Sequence, residues 1–203
     1  LLIILKEIKI MLENVLEKRN ASLKTKISVK SAVSASLIVL AVVLPQIAHL
    51  AVGASAGMTL LPMYLPVLMG GLLLGTRWGL IVGIFSPVAS FCVTSLAGAA
   101  MPAASRLPFM MAELAVFAAV SGLFGRKISE KPLLAFVGVI LAQVCGRAFF
   151  LLCVFAFQSF TPLTVAAVWG QIKTGLAGLA IQAVVVPLIV IAISKLLDKE
   201  QSK

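Results

Sequence analysis

Between Met63 and Ser90 two apolar runs are separated only by Thr76-Arg77-Trp78, and a glycine stands at every fourth position: Gly71, Gly75, Gly79 and Gly83. A step of four returns to nearly the same face of an α-helix. In an apolar setting, small residues at that step let two backbones approach closely. The stretch therefore reads as a tight transmembrane helical hairpin. Glycine is common in membrane helices in any case, but four in register across an Arg-Trp turn favour the hairpin.

The rest of the chain agrees with a membrane setting. Of 203 residues, 61% are apolar and 12% charged, and the mean hydropathy is +1.14. That length holds about six spans of about 20 residues with short loops, and leaves no room for a second soluble domain. Apolar runs place the spans at 29–50, 60–74, 79–94, 108–124, 133–157 and 169–196. The expected fold is an all-α integral membrane protein: one compact bundle of six transmembrane helices at 29–197. An amphipathic, interfacial segment at 1–28 precedes it and a short charged tail at 198–203 follows. Ile8, Met11, Leu12, Val15 and Leu16 give the first segment its helical spacing. It lacks the small-residue cleavage site of a signal peptide, and Met11 offers an alternative start, so residues 1–10 carry little weight.

The net charge of +10 raises the question of nucleic acid. Its distribution points instead to the bilayer. Lys6, Lys9, Lys18, Arg19, Lys24, Lys26 and Lys30 precede the first span; Arg77, Arg126, Lys127 and Lys131 fall in the second and fourth loops; Lys195, Lys199 and Lys203 end the chain. With six spans these lie on one side, and the positive-inside rule makes that side, with both termini, cytoplasmic. No nucleic-acid partner is expected.

Three basic residues break the pattern. Arg106 lies in an outer loop, Arg147 lies inside the fifth span, and Lys173 lies near the outer start of the sixth. Glu113 is the single acid within the apolar region. A central Arg costs about 2.5–3.5 kcal/mol on insertion scales, so it needs a partner or a wet cavity. One reading is a structural ion pair of Glu113 with Arg147 between the fourth and fifth spans. The other is an outward-facing polar pocket for a small anionic ligand such as a carboxylate. Glu113, Arg147, Lys173, Arg106, Gln143, Gln182 and Tyr64 are its candidate lining, with Gln171 close by. His49 is read as closing the end of the first span.

Catalysis fits poorly. A single histidine excludes a multi-His metal site, and Cys92, Cys145 and Cys153 sit in apolar runs without ligand spacing. No GxxxxGK[ST] motif is present, so the chain has no nucleotide hydrolysis of its own. No catalytic residue, metal or cofactor is assigned, and the chain is not read as an enzyme.

The segments LPVLMGGLLLGTRWGLIVGIFSPVAS, MPAASRLPFMMAELAVFAAVSGLFGR, CGRAFF and GLAGLAIQAVVVPLIV, over about residues 30–196, resemble the substrate-binding S component of energy-coupling factor (ECF) transporters. The chain resembles members assigned to pantothenate, to cobalamin and to unknown substrates, a pantothenate/cobalamin-like subfamily. The resemblance implies a subunit of the bacterial plasma membrane that captures a vitamin or similar micronutrient outside. It implies partnership with a transmembrane coupling protein and two ATPase subunits, and toppling of the whole subunit in the bilayer during transport. It also implies a small-residue contact with the coupling protein on the first helix. Ala32 with Ser36, or Ser31 with Ala35, are the best matches. The positive balance of the pocket favours an anionic substrate such as pantothenate. The alternatives are a non-transporting membrane scaffold, or an S component for cobalamin or another micronutrient.

Overall fold

The computed structural model describes residues 23–53, 56–98, 100–125, 127–128, 131–157 and 163–201. The amphipathic spacing of Ile8 to Leu16, the basic residues before Leu23, Arg126 and Lys203 lie outside them. All regular structure among the described residues is helical: α1 (Leu23–Val52), α2 (Ala56–Leu60), α3 (Tyr64–Leu74), α4 (Thr76–Leu96), α5 (Leu107–Gly125), α6 (Leu133–Phe157) and α7 (Val165–Gln201). Six stretches are long and apolar enough to cross a membrane, one of them the pair α2 and α3 taken together as Gly57–Leu74. Without water to serve backbone N–H and C=O groups, a helix that bonds all of them internally is the spanning form open to such sequences.

The turn between the second and third spans is tighter than the sequence suggests. Thr76, Arg77 and Trp78 belong to α4, and Gly75 alone makes the reversal, with φ +80°. Its N–H donates to Gly71 O at 2.9 Å and its own carbonyl accepts from Gly79 N at 2.9 Å. One residue thus closes one helix and opens the next, in a left-handed conformation that glycine adopts without steric cost. The third span is therefore 21 residues long rather than 16.

The glycine stripe does more than join the hairpin. A Cβ on Gly79 would stand 2.8 Å from Gly71 Cα, so the two backbones touch. The stripe also receives α5: a Cβ on Gly71 would meet Ala118 O at 2.7 Å, and one on Gly83 would meet the Leu114 carbonyl carbon at 2.9 Å. From the α5 side, a Cβ on Gly122 would stand 2.7 Å from Thr76 Cα. Lipid tails are as apolar as side chains, so close packing of this kind is what holds membrane helices together. Val67, Leu68, Val82, Leu114 and Phe117 fill the core around it.

The second span is broken. Pro62 has no N–H, and its ring disfavours helix at the residue before it. Leu61 there adopts φ +49°. At the break α7 serves two carbonyls: Gln182 Nε2 donates to Leu60 O at 2.9 Å and to Leu61 O at 2.8 Å, and Leu61 O also accepts from Tyr64 N at 3.0 Å. The approach needs small residues on α7, since a Cβ on Gly178 would lie 2.6 Å from the Leu60 carbonyl and one on Gly175 would lie 2.8 Å from Leu61 Cδ1. Gly175, Gly178 and Gln182 recur at three and four residues, one face of a helix.

Candidate functional site

Tyr64 is the first residue of α3, directly after the break, and it points at the middle of α5 and α6. Its hydroxyl donates to Glu113 Oε2 at 2.8 Å. The other carboxylate oxygen, Oε1, faces Arg147 Nη1 at 2.9 Å. The Arg147 guanidinium lies over the Tyr64 ring, 5.0 Å from its centroid, and completes a closed triangle of three side chains. Glu113 is fully buried and Arg147 is 7% exposed. Six residues separate Glu113 from the start of α5, about 9 Å along its axis. Charges at such depth persist when each offsets the other and a neutral donor shares the carboxylate.

Packing sets this meeting. A Cβ on Gly146 would stand 2.8 Å from the Phe117 ring, so glycine lets α6 close onto α5 one residue before Arg147. Phe117 in turn packs on Tyr64, with ring centroids 5.0 Å apart. The Gly-Arg dipeptide therefore supplies both the close approach and the charge. The pair leaves part of the guanidinium unused: Arg147 Nε and Nη2 are buried without a hydrogen-bond partner.

The triangle borders a cavity of about 360 Å³. The last turns of α1 contribute Pro45, Gln46 and His49 to its wall. The broken second span contributes Gly57, Met58 and Leu61 to Tyr64. The connection before α5 contributes Met101 to Ala103 and Arg106; Ser90, Met110, Phe150 and Gln171 complete the lining. That connection is tied down, since Ser90 Oγ donates to Met101 O at 2.8 Å and Met101 N donates to Thr94 Oγ1 at 2.8 Å. Arg106 bridges from it to α7. With the Gln171 amide oxygen facing the guanidinium, as the surrounding donors require, that oxygen accepts from Nη1 at 2.8 Å and Nη2 at 3.1 Å.

Of the residues singled out from sequence, Tyr64, Glu113, Arg106 and Arg147 meet at this cavity. Gln143, Gln182 and Lys173 are not in its lining. Gln143 Nε2 donates to Leu179 O at 3.0 Å and ties α6 to α7, and Gln182 serves the break. Lys173 is exposed, its ammonium 5.9 Å from the Trp169 ring centroid. Three polar wall residues lay outside the expected set: Ser90 on α4, and the α1 pair Gln46 and His49. His49 does not close its helix; Gly53 does, in a left-handed conformation, with its N–H donating to His49 O at 3.0 Å. The signal for the α1 pair was its spacing, three residues apart on one helix face beside Pro45.

Among the described residues no three His, Cys, Asp or Glu side chains gather as metal ligands. On α1, Ser31 and Ala35 face outward, whereas Ala32 and Ser36 are half-buried, with Ser36 Oγ donating to Ala32 O at 3.0 Å. The family model described as "ECF transporter, substrate-specific component" matches residues 29–190. No curated protein and no solved structure matches the chain.

Proposed function

The chain belongs to the ECF transporter substrate-specific component family, and we propose that its cavity between Arg106 and Arg147 captures a small anionic micronutrient such as pantothenate. Membership makes the chain a multi-pass membrane subunit that captures a small molecule and works with ECF coupling and ATPase modules. The observation that carries the finer reading is the placement of two guanidiniums and one carboxylate, Arg106, Arg147 and Glu113, around one cavity. Their balance is a single positive charge, which suits a monoanion.

Size supports the choice among micronutrients. At roughly 30 Å³ per water-sized unit, the cavity holds on the order of a dozen such units. That suits a vitamin of pantothenate's size; a corrinoid such as cobalamin is several times too large. The scaffold alternative draws on the closed Glu113–Arg147 pair, which by itself serves packing. A scaffold has no need for that pair to border a cavity, or for a second arginine across it.

The positive-inside rule supports the orientation. Lys30, Arg77, Lys127, Lys131 and Lys195 fall near the start of α1, at the hairpin turn, between α5 and α6, and near the end of α7. Arg106 belongs to the opposite set of connections. In this reading both termini are cytoplasmic, the cavity opens outside a bacterial plasma membrane, and the outward Ser31 and Ala35 face of α1 meets the coupling protein.

The test is uptake of labelled pantothenate into membrane vesicles containing the chain, with and without a co-expressed ECF coupling protein and its two ATPases. ATP-dependent accumulation that needs all the partners is expected. Accumulation without any ATPase would make the chain a facilitator, and failure to assemble with an ECF module would favour a scaffold.

A further inference from the structure

A guanidinium carries five N–H donors in a fixed plane. Arg147 presents Nη1 to Glu113, and its plane lies over the Tyr64 ring. These contacts fix its orientation and leave one side, the edge formed by Nε and Nη2, buried and unpartnered in a residue that lines the cavity. That edge offers two parallel N–H bonds, which match the two oxygens of a carboxylate. On the α1 wall, Gln46 Nε2 is also buried without a partner. Apart from the Glu113 oxygen that faces Arg147, the unpartnered buried polar atoms of the wall are donors, among the described residues. Buried donors are costly to leave unmet, so they select a ligand that supplies acceptors.

We infer that the substrate is an organic acid that lays its carboxylate side-on along the Nε–Nη2 edge of Arg147 and gives a second acceptor oxygen, from a carbonyl or hydroxyl, to Gln46 Nε2. Glu113 and Tyr64 are then positioning residues. They hold the guanidinium with that edge left unpartnered, and they do not touch the ligand. Glu113 offsets the charge of Arg147, so the carboxylate is read by bidentate geometry, and Arg106 supplies the remaining positive charge. An amine or other cationic group leaves all three donors unmet, and a neutral amide meets one of the two on Arg147.

This inference rests on the cavity being the capture site, and the experiment separates the two. The full chain is purified, the small molecules it carries are extracted and identified by mass spectrometry, and the emptied protein is titrated by calorimetry. The probes are two matched pairs, pantothenate against its alcohol panthenol and levulinate against levulinamide. We expect the carried compound to be an organic acid with a second acceptor oxygen. In at least one pair the acid binds about 30-fold tighter than its neutral partner, in keeping with hydrogen bonds to a charged group. Arg147→Lys keeps the charge but loses the fork, and reduces that advantage to about threefold or less. Gln46→Leu weakens the acid about tenfold and leaves the acid-to-neutral ratio unchanged. A carried compound without an acid group, or an acid advantage that survives Arg147→Lys, overturns the inference and leaves the cavity a capture site. No carried compound and no binding of any probe overturns both. If Arg147→Lys fails to fold, the acid-to-neutral ratio of the unaltered chain decides alone.

Discussion

The Gln182 side-chain amide on α7 lies 2.9 Å from the carbonyl oxygen of Leu60, a contact across 122 positions of sequence. It closes the one place in the second span where the backbone cannot close itself, and the same break sets Tyr64 at the head of α3. Gln182→Leu removes both bonds, leaving the half-buried Leu60 carbonyl unserved and Leu61 O with the Tyr64 N–H alone. Interhelical hydrogen bonds in membranes are worth about 0.6–2 kcal/mol each, so the variant should lose about 1–3 kcal/mol and bind substrate more weakly. Thermal unfolding in detergent, with calorimetry alongside, measures both. An unchanged melting temperature would show that the break stands without α7.

Arg147 pairs with Glu113 in the bundle and is proposed to bind substrate as well, and the two roles are separable. Arg147→Ala leaves Glu113 uncompensated in the bundle, which costs about 3–5 kcal/mol when a buried pair is broken. The protein is expected to insert still but to lose high-affinity binding. Pairing that change with Glu113→Gln removes the stranded charge, so the double variant should recover at least half of the lost stability and none of the affinity. Calorimetry showing unchanged affinity in Arg147→Ala would sink the assignment of the cavity.

The contact of Gly122 with Thr76 predicts a sharp size limit. Gly122→Val drives a Cβ into the Thr76 backbone, where nothing flexible gives way, and overpacking of this kind costs about 1–3 kcal/mol. Gly170→Ala is the matched control. Nothing lies within 4 Å of a Cβ there, so its effect should stay within about 0.5 kcal/mol. Fluorescence-detected size exclusion after a heat step ranks the two; equal loss would refute the packing role of Gly122.

On α1, exposure separates two small-residue registers. Ser31→Leu and Ala35→Leu alter an outward face and should reduce co-purification with an ECF coupling module about tenfold, while substrate affinity stays put. Assembly unaffected by both changes would move the coupling surface elsewhere.

Much of this architecture is written locally. Six apolar stretches make six spans because bilayer crossing depends on length and hydropathy alone. The meeting of Glu113 with Arg147 is foreseeable for a related reason: a charge in hydrocarbon needs a partner, and no other acid lies within the spans. The glycine stripe likewise announces close contact by its spacing. What it cannot announce is with whom. Gly71 touches α5 as well as Gly79 across the hairpin, and Gly83 touches α5, and that depends on how three helices rotate about their axes.

The same rotation decided the polar residues. Gln143 and Gln182 look like Arg147 in sequence, polar groups in apolar helices, yet they meet backbone carbonyls of Leu179, Leu60 and Leu61. The demand at Leu60 and Leu61 exists only because Pro62 interrupts the span and α7 packs against the interruption. Gln46 and His49 reach the cavity because α1 runs on to Val52 and turns that face towards Gly57 and Met58. From its sequence alone the chain was determined to be a six-span membrane protein with an acid and an arginine inside its apolar spans. The tertiary structure decided which polar groups serve the fold and which line the cavity, because a side chain's partner is set by the neighbour it is turned to face.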